Sequence, residues 1–154
     1  MGQTLTPHPG QEQGWKHETT LGAKEKDFWW KIDDEGWIAI KRFFQMAHGR
    51  HLVETTIACS DIEKLHAYTG DRQWKDLANN VEKLANHTER PGLGWFLYEK
   101  LGWDTAGAQL SSHLGAIMTR AGVWDWNGKR RGMRFKLAAG TWVELLKAYF
   151  ARRL

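Results

Sequence analysis

Lys129, Arg130, Arg131, Arg134 and Lys136 fall within eight residues. Five cations so close together raise the local anion concentration and favour a polyanionic partner, chiefly nucleic acid. The plainer alternative is a solvated hairpin with a charged tip. Charge is unevenly laid out along the chain. Residues 1–90 hold 12 Lys and Arg against 14 Asp and Glu, while residues 91–154 hold 10 against 4. The net +4 of the 154 residues is thus −2 in the first part and +6 in the last.

Other reactive residue types are present without a supporting frame. His48 and His51 are spaced to share a helix face, but the distance to His66 matches no zinc motif. Asp33, Asp34 and Glu35 read as a turn or helix start rather than a cation site. Cys59 is the single cysteine, which excludes an internal disulfide and a cysteine-based zinc site, and no histidine is framed to activate it. Gly92-Leu93-Gly94 is too short to cradle a phosphate, and no Walker lysine follows. No triad, carboxylate pair or metal motif emerges, so the expectation is a protein that is not an enzyme and uses no cofactor and no metal.

The elements that must position the cations follow from periodicity and punctuation. Asn127-Gly128 lies between Val123-Trp124-Asp125-Trp126 and Met133-Arg134-Phe135-Lys136-Leu137, which predicts a β-hairpin closed by a tight turn. Before it, Asp104 is suited to cap a helix whose apolar face is Ala106, Leu110, Leu114, Ile117, Met118 and Ala121, ended by Gly122. Leu93, Phe96, Leu97 and Leu101 predict a shorter helix stopped by Gly102. Trp74, Leu77, Ala78, Val81, Leu84 and Ala85 have the spacing of an amphipathic helix. Ser60-Asp61-Ile62-Glu63 and Thr141-Trp142-Val143-Glu144 read as capping boxes of two further helices. Residues 28–32 suggest a short strand. Residues 38–47 fit either a hairpin strand or a helix with Trp37, Ile40, Phe44 and Ala47 on one face, and the helix is preferred. Residues 51–59 are β-branched enough for a strand or an extended link. Pro7, Pro9, Gly10, Gly14 and Gly22 punctuate a polar arm whose start, Met1 to Thr6, also matches the short N-myristoylation pattern.

The order helix, helix, tight turn, helix, basic hairpin over residues 72–137 resembles the winged helix-turn-helix superfamily. Leu93–Leu101 corresponds to the second helix, Gly102-Trp103-Asp104 to the turn, Asp104–Ala121 to the third helix and Val123–Leu137 to the wing. The likeness covers about 65 residues of pattern and includes no diagnostic motif. It implies that the third helix would meet the major groove and the wing the backbone or minor groove. Thr105, Ala108, Gln109, Ser112, Ala116 and Thr119 would then be its outward face, with Gln109 and Ser112 able to reach base edges. Lys129, Arg130, Arg131, Arg134 and Lys136 would hold phosphates, with Arg120 near the end of the helix. One departure stands out: the first turns of this helix hold no Lys or Arg, and its small residues would equally admit a neighbouring protein segment.

Together these readings predict an α+β, mainly helical chain. It would divide into an arm (1–26), a mixed segment packed on the core (27–70) and a winged-helix domain with a C-terminal helix (71–154). The lone cysteine, the lack of a basic-then-apolar leader and the absence of a long apolar run predict a cytoplasmic protein with no membrane contact. The expected function is binding of nucleic acid, DNA before RNA, as a small regulator or accessory subunit of a phage, plasmid or mobile-element nucleoprotein complex. The alternative is a protein-interaction module or small inhibitor of a larger nucleic-acid-processing complex, with no DNA binding of its own.

Overall fold

The computed structural model describes residues 14–152. Of the arm expected over residues 1–26, residues 1–13, with the myristoylation pattern, lie outside that range. Lys16–Thr19 forms strand β1, not arm. It opens a four-stranded antiparallel meander with β2 (Asp27–Ile32), β3 (Ile38–Met46) and β4 (Gly49–Ile57), in the order β1-β2-β3-β4. Asp33 shapes the β2–β3 turn: its carboxylate accepts the amides of Glu35 at 3.0 Å and Trp37 at 2.9 Å. Gly36 takes the left-handed φ of +87° that this turn requires.

The strand at 38–46 corrects the helix preferred from sequence. Its register, Phe28↔Arg42, Trp30↔Ile40 and Ile32↔Ile38, puts these six side chains on one face. Phe28, Trp30, Ile38 and Ile40 are fully buried there, and Arg42 is 6% exposed. An arginine at the third inward position breaks the apolar alternation, which is why the strand period was masked. The opposite face carries Trp29, packed edge-on against Phe43, and Trp15, whose ring lies beneath the ammonium groups of Lys31 and Lys41.

Helices and a second sheet cover the inner face. α1 (Cys59–Tyr68) begins one residue before the expected box, so Ser60 caps nothing and Glu63 accepts the indole N–H of Trp142 at 3.0 Å. The helix expected over 74–85 is replaced by strand β5 (Lys75–Asp76), a loop and the short α2 (Val81–Ala85), capped by Asn80. Ala78 has a φ of +49°, which no helix interior permits. α3 (Leu93–Trp95) runs into a π-helical turn, Phe96–Lys100. The Asp104 carboxylate accepts the Gly107 amide at 2.6 Å and caps α4 (Thr105–Ala108), as expected; α5 (Leu110–Arg120) follows after Gln109. β6 (Trp124–Trp126) and β7 (Arg134–Leu137) pair, and β5 joins the far side of β7, giving the order β5-β7-β6. α6 (Trp142–Ala151) closes the chain. Thr141 stands at its N-cap position but makes no capping bond.

α5 is the central helix. Eight of its eleven residues are buried, and it packs against β1, α3, β6 and α6. Gly115 permits this closeness, because a Cβ there would lie 2.9 Å from the ring of Phe135 on β7. One continuous core therefore spans both sheets and α1, α5 and α6. Helix covers 37% and strand 27%, so the class is α+β, with strand on nearly the scale of the helix expected to dominate. Among the described residues no helix is long and apolar enough to cross a membrane.

Candidate functional site

The hairpin exists, but its connection is longer than the two-residue turn expected of Asn127-Gly128. Trp126 pairs with Phe135, leaving a loop over 127–133. Asn127 organises it from inside. Its Oδ1 accepts the Lys129 amide at 3.2 Å and its Nδ2 donates to the Gly132 carbonyl at 3.0 Å, while the Trp126 indole donates to the Lys129 carbonyl at 3.2 Å. Gly128 and Gly132 supply the left-handed positions, at φ of +78° and +70°. A loop bonded to its own side chains presents cations from a fixed backbone.

Those cations meet four different surroundings. Lys129 and Arg131 are exposed and have no acidic partner among the described residues. Arg134 reaches Asp76 at 3.0 Å, and Arg90 approaches the other oxygen of that carboxylate at 3.5 Å. Arg130 turns to the β1–β2 connection and pairs with Glu25 at 2.6 Å, both side chains about half exposed. Lys136 lies 4.7 Å from the centre of the Trp74 ring. Arg90, Lys129, Arg131 and Arg134 frame a bowl of about 240 Å³ with Asp76 as its one carboxylate. Arg90 had not been singled out. It precedes Pro91 far from the hairpin in sequence, and only the β5–β7 pairing brings it there.

The expected reading face of 104–121 is turned inward. Ala108 and Ala116 are fully buried. Gln109 donates to the Asn79 carbonyl, and Ser112 accepts from Asn79 Nδ2 at 2.9 Å. Thr105 is half-buried at the start of α4. Arg120 donates to the Thr19 carbonyl and to Glu18, at 3.2 Å for the latter, so it ties α5 to β1 and does not join the hairpin cations. The small residues of this helix thus admit protein segments, the second of the two uses their size allowed. Trp124 is 2% exposed and belongs to the core.

A larger cavity, about 730 Å³, opens between β3, the β1–β2 connection and the start of α5. Arg42 and His113 line it. Arg42 Nη2 donates to the Ala106 carbonyl at 2.7 Å, its Nε has no partner, and the guanidinium lies 4.5 Å from the centre of the Phe44 ring. No carboxylate among the described residues lies within ion-pair distance of it, and burial lowers its pKa to about 10 despite the field of Asp104, so it stays cationic at neutral pH. His113 packs edge-on against Phe28, and its Nδ1 donates to the Gln109 carbonyl at 3.3 Å. Burial, and then the Arg42 charge, hold its pKa down at about 3, so the imidazole is neutral with Nε2 as the acceptor nitrogen.

The remaining candidates stay apart. Among the described residues no group of three or more His, Cys, Asp or Glu is arranged to hold a metal. Burial, then Glu63 and Asp33, push the Cys59 thiol up, away from the nucleophilic thiolate. No family model, curated protein or solved structure matches the chain.

Proposed function

We propose that this protein binds nucleic acid, double-stranded DNA first, by laying the 127–134 loop on the phosphate backbone, and that it acts without catalysis as a regulator or accessory subunit of a nucleoprotein complex. The observation that carries this reading is the bowl in which four cations surround a single carboxylate, with Lys129 and Arg131 free to meet phosphate oxygens. The element order α1, β5, α2, α3, α4–α5, β6, β7 with its three-stranded sheet is compatible with a winged-helix reading of the scaffold, with α1 in place of the first helix expected over 74–85 and α2 as an added turn of helix. The inward face of α5 argues for a division of labour different from direct base reading. Affinity comes from phosphate contacts, and any sequence preference comes from groove shape rather than from Gln109 or Ser112.

The test is fluorescence polarisation of a labelled random duplex at two salt concentrations. Lys129→Ala with Arg131→Ala should weaken binding by about tenfold and reduce the slope of log K against log salt by about 1.8, one counterion step for each lost contact. Salt-independent binding, or binding that ignores both changes, overturns the reading. Absence of duplex binding, with a protein partner co-purifying instead, favours the interaction-module alternative.

A further inference from the structure

The 730 Å³ cavity has the size of a small-molecule site and a chemistry that selects among small molecules. Its buried charge is a single guanidinium. Burying a guanidinium with no carboxylate at ion-pair distance is costly unless something of opposite sign meets it, and the field of Asp104 offsets only part of the burial of Arg42. Arg42 spends one donor on Ala106, its buried Nε has no partner, its guanidinium carbon lies 4.5 Å from the centre of the Phe44 ring, and the residue lines the cavity wall. The acids on the cavity wall do not answer it: Asp27 is taken by His17 at 2.8 Å and Glu25 by Arg130. Lys24, Lys26 and Arg50 line the same space, so the approach is cationic as well. Phe44 and Met133 supply apolar wall, and the His113 ring adds one neutral polar group.

We propose that this cavity binds an aromatic carboxylate, its anionic group held by Arg42 and its ring against Phe44 and Met133. One buried positive charge matches one negative charge. A phosphate monoester carries nearly two, and the other cations of the wall, Lys24, Lys26 and Arg50, are exposed and screened by water, so the second charge gains little there. His113 adds no further cation, being uncharged at neutral pH. The guanidinium fork also fits the two oxygens of a carboxylate. This site is separate from the loop that meets nucleic acid, so either assignment can fail alone.

Naphthalene-2-carboxylate, 2-naphthyl phosphate and 2-naphthol serve as probes, titrated without nucleic acid into the full chain carrying ¹³C-labelled histidine. The carboxylate should move the His113 ring signal saturably. The neutral naphthol and the dianionic phosphate should each bind at least about tenfold more weakly, the worth of one charge-assisted hydrogen bond. Arg42→Gln should remove the same factor for the carboxylate and leave the naphthol unchanged. Should Arg42→Gln lose the folded circular dichroism spectrum, Ala23→Trp, on the exposed connection lining the cavity, gives the second arm and should weaken the carboxylate by a similar factor. Equal binding of carboxylate and naphthol, tighter binding of the phosphate, a His113 signal that does not saturate, or carboxylate binding unchanged in the folded variant would each overturn the proposal.

Discussion

The molecule carries two groups of cations and treats water oppositely at each. In the 127–134 loop, Lys129 and Arg131 stand in solvent, cost little to keep charged and are weakened by salt. On β3, Arg42 is 6% exposed, beside an imidazole held neutral. The difference teaches how each can be used. Exposed charges act by number, so they suit a partner that repeats its phosphates. A buried charge acts singly and strongly, so it suits one small counter-charge of the right shape. The same residue type therefore points to two different classes of ligand, and burial decides between them.

The sharpest way to test the dry side of this contrast is pH. Facing His113 are the Arg42 guanidinium, Lys26, the Gln109 carbonyl and the Phe28 ring, and the first two oppose protonation. The folded-state pKa of about 3 lies below the ordinary value of 6.5. Below 6.5 the unfolded chain takes up a proton that the folded chain refuses. The contribution is therefore complete above pH 6.5 and is lost progressively down to about 3, at about 1.4 kcal/mol per unit. Between pH 7 and 5 wild type should lose about 2 kcal/mol more, by urea unfolding, than His113→Gln, which has no imidazole to titrate. Equal losses in both would mean that His113 is hydrated, and the contrast would vanish.

How legible was this in the sequence? The hairpin was legible because its signals are local: a cation cluster, an Asn-Gly pair and alternating apolar residues within fifteen positions. The Asp104 cap was legible for the same reason, and the start of α6 at Trp142 was too, although Thr141 makes no capping bond there. β3 was obscured by the residue that matters most. Arg42 occupies an inward slot where the strand pattern demands an apolar one, so the helical spacing of Trp37, Ile40 and Phe44 looked better. Residues 74–85 have a true helical period, yet β5 is recruited by β7, and tertiary pairing overrides it. Trp74 and Val81 from that supposed apolar face are among the exposed large hydrophobic residues. The Gly92 and Gly94 pair, unreadable as a phosphate cradle, is explained by packing: a Cβ at Gly94 would sit 2.6 Å from the Ala78 carbonyl. His113 lies one position before Leu114 on a buried helix, and nothing local sets it apart from a core histidine. Arg42 is on strand β3, far off in sequence, and only the fold brings the two to one cavity.

Gly115 is the joint between the two regions, since α5 carries His113 and β7 continues into the cationic loop. Gly115→Ala drives a methyl group to 2.9 Å from the Phe135 ring. Overpacking of this kind costs about 2 kcal/mol, and the gain in helix propensity returns about 1. The expected result is a net loss of about 1 kcal/mol by denaturant unfolding. An unchanged or raised midpoint would show that Phe135 gives way freely and that the two regions are not rigidly coupled.

The smallest effect lies where the regions touch at the surface. Glu25 lines the mouth of the large cavity and holds Arg130, with both side chains about half exposed. Such a pair contributes no more than about 0.5 kcal/mol, so Glu25→Gln should barely move the unfolding midpoint. On the nucleic-acid side it has the opposite sense. Freed from its carboxylate, Arg130 adds a third unpaired cation beside Lys129 and Arg131, and removal of Glu25 also removes a repelling charge. Duplex affinity at low salt should rise by about twofold, and the salt slope should steepen by about 0.9 if Arg130 then meets a phosphate. A slope that stays where it was would confine the contact to Lys129, Arg131 and the rim of the bowl. In that case Arg130 belongs to the cavity side of the molecule, as the anchor of the connection over which a small anion would enter.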